Sequence, residues 1–315
     1  MAPHLTQLHF SRFQPLTTSQ LRTALSLPSS RSLGFCLDPV GCPPSTFSDV
    51  LHTQGLRLFE LFLACVKDYH DLHTLTLFLE MIAPTSKHLR NLCLFLPYTL
   101  SRTSITPTCQ AVRLFEQLES LTVRTDFILL NETDGPWPLS ELPMRHLADL
   151  SKLTRLSIHA LPIMATSEFV NIASKQWPKL THLTFTSPLV QFELPVLMTL
   201  PYRLPRLVFI FTLFATLFPD CITHIHQPQL SAPPIIRTIT LRECQCDNPF
   251  MIVIFVKTYF HNVRFVGHGF LAGALAMLED NNTSVSSHLS DHPSLINYPF
   301  LTNAWFASSG GAHPS

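Results

Sequence analysis

Apolar and polar residues recur in a fixed order along this chain, and two nearly identical heptads show it most clearly. Residues 152–158 read KLTRLSI and residues 179–185 read KLTHLTF, so the heptad returns 27 positions later (179 − 152). After its lysine, each heptad has an apolar residue, two variable residues, a second apolar residue, one variable residue and a third apolar residue. Apolar side chains at alternate positions are typical of a strand with one buried face. The heptads therefore predict two short strands in equivalent positions.

The same six-residue pattern recurs along most of the sequence. Successive copies begin 24 to 35 residues apart, about 28 on average, which matches the L-x-x-L-x-L strand of a leucine-rich repeat. The copies start at Leu5, Ser30, Leu56, Leu89, Leu118, Leu153, Leu180, Leu204, Ile236 and Phe260. Units of this length hold a strand and a returning helix, and they stack into a solenoid because none can bury its apolar face alone.

Helices are predicted between these strands from apolar stripes and capping residues. The segment LHTLTL, which begins at Leu72, fits the strand template, but its apolar residues continue at helical spacing to Ile82, and we predict a helix there. Thr106 before Pro107 places an N-cap ahead of a first-turn proline and predicts a helix that begins at this point. Thr166 precedes a further helical stripe in the same way.

These features predict an α/β leucine-rich-repeat solenoid, a horseshoe of about ten irregular strand–helix repeats over residues 1–280. Residues 281–315 are rich in Ser, Asn, His and Gly and lack a helical or strand period, so we expect a disordered polar tail. An ordinary α/β domain with leucine-rich strands is the alternative, since its crossover units also alternate strand and helix. A doubly wound domain does not usually keep so many strands in one common pattern.

The composition narrows the choice of partners and compartment. Charged residues make up only 13% of the 315 residues, and 21 Lys and Arg balance 21 Asp and Glu, so net charge predicts neither a nucleic-acid nor a membrane partner. The longest apolar run, LVFIFTLFATLF at 207–218, is too short to span a bilayer as a helix and is interpreted as a buried strand that runs into a helix. Eight scattered cysteines and no export signal predict reduced thiols and an intracellular location, in the cytoplasm or nucleus.

The segments WPKLTHLTF, LRNLCLFLP, LESLTV and IIRTITLREC resemble the repeat region of F-box/leucine-rich-repeat proteins, especially those of fungi. The resemblance covers roughly residues 5–268. It implies a repeat domain that holds the substrate of an SCF-type ubiquitin ligase, while an N-terminal F-box docks on the ligase adaptor. Because the first copy begins at Leu5, we expect no F-box ahead of it in this chain.

Two segments invite an enzymatic or cofactor-dependent interpretation. GHGFLAGALA, from Gly267, approaches a dinucleotide loop, but its glycine spacing differs from G-x-G-x-x-G and a polar tail follows it. A zinc site can be drawn from Cys221, His224, His226, Cys244 and Cys246, without the usual paired C-x-x-C spacing. The sequence also lacks the common hydrolase, zinc-protease and P-loop motifs. We therefore expect no enzyme activity, no cofactor and no metal.

One set of polar residues has a pattern that points to binding. Residues between the apolar positions of each strand are predicted to face the concave side of the solenoid. From the fifth copy onward they include Arg124, Arg155, His159, His182, Arg206, Arg242 and Arg264, and no acidic residue joins them. Arginine suits bidentate capture of carboxylates. The sequence thus favours a non-enzymatic module that binds an acidic protein partner, with a structural scaffold as the alternative and a nucleotide- or zinc-dependent enzyme less favoured.

Overall fold

The structure, a computed structural model, describes most of the repeat-bearing part of the chain. The described residues are 6–10, 15–27, 29–38, 47, 57–65, 72–96, 102–125, 137–138, 144–159, 163–186, 191–218, 237–246 and 264–267. The predicted polar tail, 281–315, lies outside them. Within these ranges no helix combines the length and the apolar character that crossing a membrane requires.

The described strands form one sheet in which every pairing is parallel. The strands are β1 Gln7–His9, β2 Ser32–Leu37, β3 Glu60–Cys65, β4 Asn91–Leu96, β5 Ser120–Thr125, β6 Trp137–Pro138, β7 Arg155–His159, β8 Ile163–Ala165, β9 His182–Phe185, β10 Gln191–Glu193, β11 Phe209–Phe218, β12 Thr238–Cys246 and β13 Arg264–Gly267. The helices between them are α1 Thr18–Leu25, α2 His73–Ile82, α3 Arg102–Val112, α4 Met144–Leu147, α5 Ser167–Gln176 and α6 Leu194–Arg203.

Strand order follows chain order along the main path of the sheet. It runs β1, β2, β3, β4, β5, β7, β9, β11, β12 and β13, each strand beside the one before. A doubly wound sheet instead reverses its order at a switch point. Consecutive helices also contact each other, as α2 does α3 and α5 does α6. The predicted alternation of strands and helices is therefore confirmed, and the order of the parallel strands is that expected of an α/β solenoid.

The sheet branches at β11. Phe209–Thr212 of this strand pair with β9, whereas Thr216–Phe218 pair with β10, which continues to β8 and β6. The interpretation of this apolar run as a strand entering a helix was therefore wrong, because β11 is a strand throughout. Pairing with β12 over most of its length, and with β9 and β10 at its two ends, provides partners for its backbone groups as a strand.

Register along the sheet confirms most of the predicted strand positions. Leu121, Leu156 and Leu183 are paired in neighbouring strands, and all three side chains are buried. They belong to a continuous row of paired apolar residues that extends from Leu8 on β1 to Phe265 on β13. The repeated heptads of the sequence are thus adjacent strands in one register.

Three units lie in a different register from the one predicted. Leu61 pairs with Leu33, Ile210 with Leu183, and Phe265 with Ile239. The units predicted from Leu56 and Leu204 consequently start at Leu58 and Leu207, both buried, and the Phe260 unit is displaced by two residues. Apolar residues fill several adjacent positions in these segments, so the six-residue template fits in more than one way, and packing decides among them.

Helices cover one side of the sheet and complete the core. The stripe ending at Ile82 is helical, with Leu72, Leu75, Leu79 and Ile82 buried, as predicted. Helix α5 follows Thr166 as predicted and buries Trp177 just after its end, where the indole Nε1 donates to the carbonyl oxygen of Leu147 at 3.0 Å. These contacts join the helix layer of one unit to the next.

The helix predicted to begin at Thr106 begins earlier. Helix α3 starts at Arg102 and contains Pro107 in its interior, so the capping interpretation was wrong. Ile105, Cys109 and Val112 are buried at helical spacing, and burial of Ile105 favours the additional turn before the proline. One consequence is a buried hydrogen bond between the hydroxyls of Thr76 in α2 and Thr108 in α3, at 3.0 Å.

Candidate interaction surface

Successive side chains of each strand alternate between the helix-covered core and the opposite side of the sheet, here called the open face. Strand β7 shows the alternation clearly. Leu156 and Ile158 are fully buried, Arg155 is exposed, and Ser157 and His159 are half-buried. The open face therefore carries the residues that core packing does not determine.

Parallel register aligns the open-face residues of β3, β4, β5, β7 and β9 in three rows. The first row contains Glu60, Asn91, Ser120, Arg155 and His182. The middle row contains Phe62, Cys93, Thr122, Ser157 and Thr184, and the third contains Ala64, Phe95, Arg124 and His159. Polar and basic side chains thus concentrate on β5, β7 and β9, while the β3 and β4 portion is more apolar.

Four of the predicted surface residues come together on these three strands. Arg124 on β5 is paired with His159 on β7, and Arg155 on β7 is paired with His182 on β9. The alternation of the sequence was sufficient to place each of them on the open face. Their pairing as two arginine–histidine pairs appears only in the structure.

The remaining predicted residues lie in or just before the later strands β11, β12 and β13. Arg206 lies exposed in the turn before β11, and Phe209 occupies the open-face position of that strand, so the placement of Arg206 was wrong. The cause is the displaced register of the Leu204 unit. Arg242 lies in β12 and Arg264 in β13, where Arg264 is paired with Thr238, but their side chains lie outside the described part.

The first pair is held by an aromatic ring and a hydroxyl. The guanidinium of Arg124 lies 5.5 Å from the ring centroid of Phe95, within range of a cation–π contact. Nδ1 of His159 is hydrogen-bonded to the hydroxyl of Thr186. Burial, with a smaller effect from the Arg124 guanidinium, lowers the pKa of His159 to about 4. The imidazole is consequently neutral at pH 7, and Arg124 carries the charge of the pair.

The second pair has the same electrostatic character. His182 has its Nδ1 within 2.8 Å of the Thr181 hydroxyl, and its ring lies 5.8 Å from that of Phe209. Burial and then the Arg155 guanidinium lower the pKa of His182. A neutral imidazole beside each arginine avoids repulsion between like charges and leaves one positive charge per pair.

Acidic residues do not neutralise these two arginines within the described residues. The ion pairs there join Arg90 to Glu119 at 3.3 Å and Arg113 to Asp149 at 3.4 Å. Glu60, the acidic residue of the first row, accepts a hydrogen bond from the Asn91 amide at 2.9 Å, two strands away from the arginine-bearing strands. Arg124 and Arg155 are exposed, and neither forms an ion pair with a carboxylate of the described residues.

Four cysteines whose side chains are described are wholly or partly buried. Cys36 and Cys109 are buried and Cys65 and Cys93 half-buried, all as free thiols. Burial is the main cause that raises their thiol pKa values, to about 11 for Cys36 and Cys93 and about 12 for Cys65 and Cys109. These four thiols are therefore protonated at neutral pH and are poor nucleophiles.

The candidate zinc and nucleotide segments are only partly described. Cys244 and Cys246 lie in β12 and Gly267 ends β13, while Cys221, His224 and His226 lie outside the described residues, as does the glycine-rich segment after Gly267. Among the residues that are described, no group of three His, Cys, Asp or Glu side chains is placed to hold a metal ion.

A cleft of about 490 Å³ lies away from the open face, between the turns that follow α2 and α3. Pro84 and Lys87 line one side, and Leu114 and Glu116 line the other. Leu114 is 48% exposed. The cleft combines a shallow apolar patch with residues of both charges, and it lacks the aligned polar rows of the open face.

Comparison with known proteins gives little further information. No protein-family model matches the chain, and no curated protein matches it. Among solved structures, the crystal structure of human 5T4 (Wnt-activated inhibitory factor 1, trophoblast glycoprotein) is similar, with a TM-score of 0.37 and 17% identity. The match covers 56% of this chain and 58% of the 5T4 chain, so less than two thirds of the 5T4 chain is matched. At this TM-score the similarity decides neither fold nor function.

Proposed function

We propose that the chain is a non-enzymatic interaction module, a leucine-rich-repeat solenoid of about ten units that binds an acidic protein on its open face. Exposed Arg124 and Arg155, which have no carboxylate partner among the described residues, are the observation that carries the proposal. Interfaces are enriched in arginine, and a guanidinium group binds carboxylates in a bidentate manner. The strands of a leucine-rich-repeat solenoid line the inside of a horseshoe, so in this proposal the open face is the concave one.

An unbiased pull-down with the intact chain tests this function. Partners are expected to be lost when Arg124→Gln and Arg155→Gln are combined, because the carboxylates of the partner then lose both positive charges. Glutamine is chosen because it removes the charge while it keeps a polar side chain. The matched control combines Arg22→Gln in α1 with Arg145→Gln in α4, which make the same charge change at exposed positions on helices. Partners that survive the open-face change, or that are lost equally in the control, contradict the proposal.

A role in substrate recognition for a ubiquitin ligase is a narrower form of the same function. Its support is the resemblance of LRNLCLFLP, WPKLTHLTF and the related segments to repeats of F-box proteins. Copurification of a ligase adaptor with the full chain tests it, and recovery of other partners without the adaptor contradicts it. The free thiols at Cys36, Cys65, Cys93 and Cys109 support a reducing compartment, the cytoplasm or nucleus, as part of this proposal.

A further inference from the structure

The two arginine–histidine pairs have the same arrangement, and the second pair is shifted relative to the first by one strand and by two rows. Arg124 and His159 lie in the third row on β5 and β7, whereas Arg155 and His182 lie in the first row on β7 and β9. In both pairs the arginine precedes the histidine by one strand. The two positive charges therefore lie on neighbouring strands, one near the carboxyl end of β5 and the other at the amino end of β7.

The spacing between the two arginines follows from their positions in the sheet. They differ by four residues along the strand direction, at about 3.3 Å per residue, and by one strand, at about 4.8 Å. Their Cα atoms are consequently about 14 Å apart. This separation is large enough for two carboxylates of one ligand to be bound independently, one at each end.

A row of hydroxyl groups lies between the two charges. Thr122, Ser157 and Thr184 occupy the middle row on β5, β7 and β9, and all three are half-buried. Hydroxyl groups can both donate and accept hydrogen bonds. They suit a polar segment that passes from one arginine to the other.

We propose that this surface binds an extended acidic peptide segment with two carboxylate side chains four residues apart, at positions i and i+4. The inference rests on the proposed function and names the partner's local structure and spacing. Side chains at i, i+2 and i+4 of an extended chain point to one side and span about 13 Å, so residue i+2 faces the hydroxyl row. A helix rises 1.5 Å per residue, and its same-face spacings of i+7 and i+11, about 10 and 16 Å, fit less well.

The positive charge of the open face is localised at the two arginines, and this localisation makes binding depend on the spacing of the carboxylates. Phe95 lies against the Arg124 guanidinium, and the neutral His159 beside it adds no second charge, so this site presents one positive charge to a carboxylate. Uniformly spread positive charge would instead favour any acidic segment, whatever its spacing. Specificity for spacing is therefore the property to test.

The test uses two Ser- and Thr-rich peptides of identical composition, one with Glu at i and i+4 and the other with Glu at i and i+3. Binding is titrated with the full chain by the fluorescence anisotropy of labelled peptide. The i,i+4 peptide is expected to bind about fivefold tighter or more, since the i,i+3 carboxylates point to opposite sides. Arg124→Gln and Arg155→Gln are each expected to weaken it about fivefold, with the Arg22→Gln control unchanged.

Double-mutant cycles connect each arginine to one carboxylate. Replacing a single peptide Glu by Gln is expected to abolish the effect of one arginine change and to leave the effect of the other. Circular dichroism of each variant establishes that it is folded.

Three outcomes overturn the inference. Equal binding of both peptides, lost in the arginine variants, refutes the spacing but leaves the proposed function intact. A single-stranded oligonucleotide that binds as tightly with the same arginine dependence identifies phosphate as the ligand chemistry. Binding of neither peptide refutes the extended acidic segment, and the pull-down then decides separately whether the open face binds a protein at all.

Discussion

The clearest test of the register in the second half of the sheet compares two neighbouring residues of β11. The pattern in the sequence makes Phe209 a core residue, whereas the structure buries Ile210 completely and leaves Phe209 half-buried on the open face. Ile210 is paired with Leu183 on β9 and Ile239 on β12, in the row of buried apolar residues. In the register of the structure Ile210→Ala should therefore be the more destabilising change. In the register predicted from the sequence Phe209→Ala should be.

The magnitudes follow from burial. Ile210→Ala removes three carbon atoms, a loss of about 2.4 kcal/mol at about 0.8 kcal/mol each, and the cavity raises the cost within the range of about 2–5 kcal/mol. Truncation of a fully buried phenylalanine costs about 3–5 kcal/mol, and half-burial reduces that of Phe209 to about 2 kcal/mol. The structure thus predicts that Ile210→Ala is the more destabilising change by about 1–2 kcal/mol, although phenylalanine is the larger residue.

Equilibrium urea unfolding followed by far-UV circular dichroism measures both changes. The urea midpoints are compared only between variants whose unfolding free energy has the same slope against urea concentration. A changed slope reports a change in the compactness of a state or a loss of two-state behaviour. Arg206→Ala, in the exposed turn before β11, is the control and is expected to lie within about 0.5 kcal/mol of the parent. A larger cost for Phe209→Ala than for Ile210→Ala would refute this register and restore the one that starts at Leu204.

The same measurements test three other features. Leu156→Ala is expected to cost about 2–5 kcal/mol and Arg155→Ala less than about 0.5 kcal/mol, and equal costs would contradict the alternation in β7. Thr76→Val and Thr108→Val should each cost about 1–3 kcal/mol by leaving a buried hydroxyl unbonded, and the double variant less than their sum; strict additivity would argue against their hydrogen bond. The pKa of His159 is about 4 in the folded protein, below its ordinary 6.5, so the unfolded chain binds more protons between these values and stability falls as pH is lowered through that window. His159→Gln should flatten this pH dependence of the urea midpoint, and an unchanged slope would show that the histidine does not cause it.

Strand positions could be predicted where polar residues separate the apolar ones. In KLTRLSI and KLTHLTF the variable positions are polar, so a shift by one residue would bury them, and the pattern permits one register. The segments LRLFELFL and LPRLVFIFT have apolar residues at adjacent positions, and several registers bury comparable area. Only pairing with neighbouring strands decides among them, and this information is not local to the segment.

Helix positions could be predicted from stripes better than from single residues. The stripe from Leu72 to Ile82 outweighed a local match to the strand template, because a helix buries the whole stripe. Pro107 was misleading as a start signal. Its own preference for the first turn is weaker than the burial of Ile105 two residues before it, so the helix begins before the proline.

The candidate surface could be predicted as a face but not as a set of pairs. Alternation within a strand placed Arg124, Arg155, His159 and His182 on one side of the sheet. Their pairing depends on the register between strands separated by helices and loops of varying length, which the sequence leaves undetermined. Phe95 and Thr186 were missed for the same reason, since each acts through a residue on a neighbouring strand.

The relation between the two faces of the sheet explains why function is best sought on the open one. Leucines at Leu121, Leu156 and Leu183 specify the register and the stacking of units, and their environment accepts little else. Open-face residues contribute little to this packing, so the fold does not require arginine at 124 or 155. An exposed arginine alone is also compatible with a solvated surface. Two arginines in matching pairs with neutral histidines, across a row of hydroxyls, form an arrangement with a defined spacing, and spacing is a property that a binding experiment can test.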